Sequence, residues 1–556
     1  MMSFIETPGD IKRFLEIMRV FLKYGWESAF ELSKMKEKFP FLSRLEGTHI
    51  GGTEIPGPVK LRKIFEELGP TFIKFGQMLS TRPDLVKEDY IEELKKLQDQ
   101  APSFDFVEVK HMIKSELGQP IEKIFKKFET KPVAAASLGQ VHFAVLNSGQ
   151  KVAVKVQRPD IEHTIAEDLR IISFIAGLVE KNIKSTQYYN PKSVAEQFAD
   201  TIRKELDYNK EAKNAERFAR NFRHDKAINI PKIFWKYTGK RVITMERAPG
   251  KKISEFYSSK DKALKKRIAN KYIDCFFKQI LVHGFFQADP HPANIFVLVK
   301  KGKPMLSLVD FGMVGRLDYD LRDNFATAMV LIVERNIKGL TTHFQAMKLI
   351  DRLYDEQQFM LDLSEIIDYF YDTDYNRIDF GGFGTALIKV MVRHRIRIPR
   401  HYLLFLRSIS MAQDSVQKLY PEINLIEQAK PYIEKILEEK TKPSYMLKSF
   451  RENYFEFQRF FRELPESVIN IFKRMEEENL KVSLEATTID ELSHSLSRST
   501  TTLSVSIVMA ALILASAMLL NTSIPTPIGN TTELGAFGFV IVLLIGLYVV
   551  MRIIRA

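Results

Sequence analysis

Two long uncharged runs near the end of the sequence constrain this chain more than any other feature. Residues 503–520 (LSVSIVMAALILASAMLL) and 534–551 (LGAFGFVIVLLIGLYVVM) contain no Asp, Glu, Lys or Arg. Each is 18 residues long, about the shortest length with which a helix crosses the hydrocarbon core of a bilayer. In lipid every backbone polar group must be paired within the protein, so such runs are expected as helices. Between them lies NTSIPTPIGNTTE, whose Asn, Thr, Pro and Gly content predicts a turn. Arg498 precedes the first run, Arg552 and Arg555 follow the second, and the turn has no Lys or Arg. The positive-inside rule then puts both ends of a two-helix transmembrane hairpin on the cytoplasmic side.

The rest is a different material. The chain of 556 residues is 45% apolar and 27% charged, with a net charge of +13. These are globular values, which exclude wholesale disorder and fibrous repeats. The one cysteine, Cys275, excludes an intrachain disulfide, a zinc ribbon and an iron–sulfur cage. The basic balance invites an anionic membrane surface or nucleic acid. No aromatic–basic RNA motif or DNA-reading helix module accompanies it, so nucleic acid is not expected. No secretory leader is read in residues 1–10.

Residues 11–24 (IKRFLEIMRVFLKY) read as an amphipathic helix after a cap at Asp10. Its apolar face is expected to meet the core of its own domain rather than a membrane. Gly69 and Pro70 end one helix and start the next. Lys74 and Gln77 share a face of the second. Further on, 141–146 and 151–156 alternate as β-strands around Asn-Ser-Gly, a hairpin. Before it stands Ala134-Ala135-Ala136-Ser137-Leu138-Gly139-Gln140, and in its second strand Lys155.

A small-residue loop, a hairpin and a strand lysine form the front half of a kinase-type nucleotide site. The loop lets the backbone approach phosphate, and the lysine brings a point charge to it. Residues 193–218 read as one long helix carrying Glu205, Asp207 and Glu211, from which a carboxylate could pair the lysine. The strand 241–245 leads into Glu246–Gly250, read as a hinge facing an adenine. In HGFFQADPHPANIFVLVKKGKPMLSLVDFGMVG, Asn294 follows Asp289 by five and Asp310-Phe311-Gly312 comes after a strand–turn–strand. Two magnesium ions bridging phosphates need oxygen ligands, here Asp310 and Asn294. Asp289 would orient or deprotonate the attacking hydroxyl or water.

With these parts in order, the chain resembles the UbiB-type atypical kinases, also called aarF-domain or ADCK proteins. Lys74-Phe75-Gly76-Gln77 matches their K-x-G-Q signature, Ala134 to Gln140 their alanine-rich loop, and Glu205-Leu206-Asp207 their E-x-D motif. The resemblance implies an α+β, protein-kinase-like bilobal fold with a helical N-terminal extension and a C-terminal two-helix transmembrane hairpin. Expected boundaries are 1–115 (extension), 116–250 (N-lobe), 251–430 (C-lobe), 431–500 (helical linker) and 501–556 (hairpin).

Carried over residue by residue, the resemblance makes Asp289 catalytic and Asn294 and Asp310 the Mg²⁺ ligands. ATP is held by Lys155, by Glu211 as its helix partner, and by the loop Val133, Ala134, Ala135, Ala136, Ser137, Leu138, Gly139, Gln140 and Val141. Lys74, Gln77, Glu205 and Asp207 form a regulatory motif folded over the site. The family usually has His and Gly where this chain has Gln287 and Ala293. His291 stands where protein kinases have Lys, no Ala-Pro-Glu follows the Asp-Phe-Gly, and helical pattern resumes by Arg322, so a platform for protein substrates is not expected.

The implied function is a membrane-anchored ATPase that binds MgATP and supports isoprenoid quinone biosynthesis by acting on lipid-like precursors. A small-molecule or lipid kinase, or a non-catalytic nucleotide-binding scaffold, are the alternatives. The implied partners are membrane lipids and quinone precursors or quinone-biosynthesis proteins, with a homodimer allowed. The implied location is the cytoplasmic membrane, with the catalytic part in the cytoplasm.

Overall fold

The computed structural model describes residues 8–25, 56–82, 85–97, 102–182, 190–347, 349–350, 355–372, 380–394, 396, 398–441 and a few positions between 511 and 540. It divides into a unit of residues 1–446 and a unit of residues 447–556.

The first unit begins with helices. In α1 (Pro8–Lys23), Phe14, Ile17 and Met18 are fully buried. The amphipathic face therefore points into the core, against Ile165 and Leu169 on α6 (Ile161–Asn182). Asp10 is not the cap expected of it. The helix starts two residues earlier, and Asp10 is buried in its first turn, where Arg170 donates to Oδ1 from Nη2 at 2.6 Å and from Nε at 2.9 Å. A buried carboxylate needs such a partner more than a helix end needs a cap.

α2 (Gly57–Leu68) and α3 (Pro70–Leu79) meet at Gly69, whose φ of 94° lies in the region open to glycine. α4 (Glu88–Leu94) packs on α2 through Leu94, and α5 (Phe106–Leu117) leads to the sheet.

That sheet is antiparallel. β1 (Phe125–Phe128), β3 (Gly139–Leu146), β4 (Lys151–Gln157) and β6 (Val242–Glu246) follow in that order, and β2 (Ala134–Ala135) pairs β3. The hairpin expected around Asn-Ser-Gly is β3–β4, in a register that sets Val141 opposite Lys155. Alternation decides the faces. Val152, Val154 and Val156 are fully buried under α5, each contributing roughly 1.5–3 kcal/mol. Lys155 between them points the other way.

The long helix expected over 193–218 is two helices. α7 (Pro191–Glu205) ends at Leu206, and Asp207, extended at φ −106°, caps α8 (Tyr208–Asn221) by accepting from Asn209 N. An Asp side chain that can satisfy a helix N-terminus competes with continued helix.

The second half is built on α9 (Lys262–Phe277), whose Ile268, Ala269 and Ile273 are fully buried. Its end widens into a π-turn, Lys278–Val282. β5 (Ile228–Asn229), β7 (Lys251–Lys252), β9 (Ile295–Lys300) and β10 (Lys303–Leu308) make a small sheet in the order β5-β10-β9-β7. β8 (Phe285–Gln287) pairs β11 (Val314–Arg316). Helices follow: α10 (Tyr319–Val333), α11 (Ile337–Ala346), α12 (Glu356–Asp372), α13 (Phe380–Arg393), α14 (Arg400–Leu419) and α15 (Leu425–Thr441).

In the second unit few residues are described. Pro525–Thr526 pairs antiparallel with Gly529–Asn530, so the chain reverses in the expected turn. A Cβ placed on Gly538 would collide with Ser516 Oγ. Among the described residues no helix is long and apolar enough to cross a membrane. The runs 503–520 and 534–551 lie almost wholly outside the described residues.

Candidate functional site

β3, β4 and the α8 helix form one wall of a cleft of about 2030 Å³, with β9 and the turns around Asp289 and Asp310 opposite. Lys155 enters it because strand alternation turns it off the valine face. Its Nζ donates to Glu211 Oε2 at 3.0 Å and sits 5.0 Å over the Tyr208 ring. Glu211 is 4% exposed. Burial works against the Lys155 charge, yet Glu211 and Asp310 together hold the amine well above its ordinary range. Burial pushes the Glu211 carboxyl up, with Asp310 adding to it and Lys155 opposing. Two carboxylates therefore support the ammonium charge, Glu211 in direct contact and Asp310 through its field.

Asp310 adopts φ 67°, a left-handed conformation that is strained for a residue with a side chain. Five contacts hold it there. Gly312 N donates to Asp310 Oδ1 at 3.1 Å. Asn214 Nδ2, from α8, donates to Phe311 O at 2.9 Å. Phe311 is fully buried against Phe218 of the same helix, ring centres 4.9 Å apart. Gln287 Nε2 donates to Val309 O at 3.1 Å and to Asp310 O at 2.8 Å. Gln287 is itself held by Gln279 Oε1, which accepts from Gln287 N at 3.0 Å out of the π-turn. The glutamine that departs from the family pattern thus ties the Asp-Phe-Gly segment to β8, with an amide whose hydrogen bonding does not change with pH.

Asn294 is placed by the same strands: its carbonyl accepts from Val309 N at 2.9 Å, and its N–H donates to His291 O. Asp289 is 37% exposed on the side chain and accepts from Arg407 Nη2, on α14, at 3.4 Å. One carboxylate and one amide, both hard oxygen donors on one cleft, suit Mg²⁺ with phosphate oxygens and water completing its shell. Among the described residues no cluster of three or more His, Cys, Asp or Glu could hold a metal ion.

The alanine loop is neither helical nor left-handed. Val133 N donates to Val141 O, Ala134 and Ala135 pair β3, and Ala136 N donates to Gly139 O at 2.8 Å. None of the loop residues has positive φ. Gly139 is required for closeness instead: a Cβ there would lie 2.5 Å from Val156 O and 2.6 Å from Tyr208 Oη.

Val133, Ala134, Ala135, Ala136, Leu138, Gly139 and Val141 line the cleft. Ser137 and Gln140 do not. Both are buried, and Gln140 faces the N-terminal segment, accepting from Phe104 N at 3.0 Å. Lys74 and Gln77 line the cleft from α3. Lys74 pairs with Glu205 at 3.6 Å, and Gln77 Nε2 donates to Leu97 O at 3.2 Å. Asp207 caps α8 and stays out of the cleft. The hinge residues Glu246, Arg247 and Ala248 line it.

Sequence reasoning missed Arg407. It sits on an amphipathic helix more than a hundred residues from Asp289, and no local pattern marks it. Tyr208, beside the E-x-D residues, was also missed.

Residues 96–344 match the model of the ABC1 atypical kinase-like domain, 363–424 the UbiB helical domain and 487–555 the ABC1/UbiB kinase-like C-terminal domain. The chain is 33% identical over 451 residues to the probable protein kinase UbiB of Marinobacter nauticus, covering 80% of this chain and 82% of that one. Its identity to the probable protein kinase UbiB of Pseudomonas aeruginosa is 30%, covering 80% and 84%. Its identity to Protein ACTIVITY OF BC1 COMPLEX KINASE 3, chloroplastic, of Arabidopsis thaliana is 35%, covering 68% and 53%.

Proposed function

This chain belongs to the ABC1/UbiB atypical kinase-like family, and from that premise we propose that it is a membrane-anchored, kinase-like ATPase. In this reading it binds MgATP and serves isoprenoid quinone biosynthesis by acting on lipid-like precursors. The observation that carries the proposal is the meeting of the Lys155–Glu211 pair with Asp310, Asn294 and Asp289 in one cleft. Bound MgATP would supply the phosphoryl group and the cation that neutralises it. Lys155 would hold the α- and β-phosphates, Asp310 and Asn294 the cation, and Ala134 to Ala136 the phosphate edge. Asp289 would orient the attacking oxygen, and Arg407, at 3.4 Å, would keep its carboxylate aimed.

Lys74, Gln77 and Glu205 line one side of this cleft, and in this reading they narrow the space open to a protein substrate, which favours water or a small acceptor. ATP turnover by the full chain in anionic liposomes tests the reading. Slow hydrolysis is expected, falling by about 10²-fold or more in Asp289→Asn, the usual contribution of a positioned base. Equal turnover in that variant would defeat it, and a phosphorylated lipid product would make the chain a lipid kinase instead.

The membrane anchor rests on the two uncharged runs, supported by the chain reversal at 525–530 and by the Ser516–Gly538 approach, a small-residue contact of the kind that packs helices in lipid. Cysteine placed at Ser523 should label from outside the cell and cysteine at Ser499 only from inside. The opposite pattern would reverse the topology, and internal labelling of both would remove the hairpin.

A further inference from the structure

Outside the cleft, three arginines gather without an acid between them. Arg217 and Arg220 stand one turn apart on α8, and Arg316 ends β11. None of the three lines the cleft. One ring brings two of them together. Phe285, fully buried on β8, faces Arg316 in the β8–β11 register. The guanidinium carbon of Arg217 sits 4.2 Å over the centre of that ring and that of Arg316 5.6 Å. An aromatic ring holds a guanidinium in place and uses none of its N–H donors. Among the described residues no carboxylate or other acceptor takes a hydrogen bond from these three side chains. The acid beside them in sequence, Glu216, accepts from Trp235 Nε1 instead. Arg217 is half-buried, and burial, then Arg316 and Arg220, hold it below the ordinary arginine range.

Cations that repel one another and have no anion of their own chain ask for one from outside. A guanidinium offers its donors as a planar fork that matches two oxygens of a phosphate. A phosphate monoester brings close to two negative charges at neutral pH, where a carboxylate brings one. We propose that Arg217 and Arg316, with Arg220 at the rim, form a binding site for a small soluble phosphate, inorganic phosphate or a phosphate monoester. Its place gives it a consequence. Phe285 packs on Phe218, ring centres 4.8 Å apart, and Phe218 packs on Phe311. An anion held by Arg217 and Arg316 joins α8 to β11, the helix and the strand that flank the Asp310 segment. The site rests on these residues alone and stands whether or not the cleft takes a nucleotide.

The test is amide hydrogen exchange of the full chain in neutral phosphatidylcholine nanodiscs, with inorganic phosphate as probe and chloride matching the ionic strength. Phosphate should slow exchange in α8 and in β8–β11. Arg316→Gln, at an exposed position, should weaken that response at least tenfold. Arg316→Lys, which keeps the charge and loses the fork, should retain part of it. No protection of α8 and β11 in the parent at saturating phosphate would overturn the proposal, as would equal protection in the parent and Arg316→Gln. Phosphate bound in the cleft would instead protect residues 133–141, with no dependence on Arg316, and would overturn it too. A last arm replaces phosphate by phosphatidylglycerol in the nanodisc. Arg316-dependent protection there, with none from phosphate, would give the arginines to a lipid surface and defeat the assignment to a soluble anion.

Discussion

Replacing Asp310 by asparagine should erase the thermal stabilisation that saturating MgATP gives the parent chain. At ligand a hundredfold above its dissociation constant that stabilisation is about 2.7 kcal/mol, so the expected effect is its whole loss. Asparagine is the informative choice. It has the same shape, it tolerates the left-handed backbone found at φ 67°, and its oxygen can still accept from Gly312 N. What it removes is the negative charge that a cation at the phosphates needs. The unliganded chain should therefore melt near the parent temperature. An undiminished response to MgATP, measured by thermal shift, would place the nucleotide elsewhere.

Replacing Glu211 by alanine should cost the unliganded chain about 3 kcal/mol, the lower end of what breaking a buried ion pair costs. The Lys155 ammonium would then be left with burial on one side and with Asp310 and Tyr208 in support. The figure sits low because Lys155 keeps 24% of its side chain open to the cleft, where water can enter. Changing both partners, Lys155→Met with Glu211→Leu, should recover most of the loss, since no charge is then stranded. Denaturant unfolding of the parent, Lys155→Met, Glu211→Leu and the double variant gives the cycle, with Glu211→Ala measured beside them. A single-variant loss within about 0.5 kcal/mol of zero, the range of an ordinary surface change, would show that the pair is only a solvated contact.

Much of this architecture was legible because it is written in short-range patterns. The β3–β4 hairpin follows from alternation around Asn-Ser-Gly, and alternation alone turns Lys155 away from Val154 and Val156. The Asp289-to-Asn294 spacing and the Asp-Phe-Gly after a strand–turn–strand are local as well. So is the Gly69–Pro70 junction, where each residue stands at the helix end it prefers. Local readings failed where a distant group competed. Asp10 looks like a cap until Arg170, 160 residues away, claims its carboxylate. The pattern over 193–218 reads as one helix because periodicity continues through it, but the Asp207 side chain satisfies a new helix start and breaks it.

The sequence by itself thus determined where Lys155, Asp289, Asn294 and Asp310 stand and which strands and turns present them, since those rest on alternation, spacing and turn residues within a few positions of one another. Only the tertiary structure decided what surrounds them. It turned Gln140 toward Phe104 and out of the cleft, made Gln287 the tie between β8 and Asp310, and brought Arg407 to Asp289. These are packing outcomes between elements far apart in the chain. A side chain's partner across such a distance depends on how whole helices and sheets fill space, which no local pattern encodes.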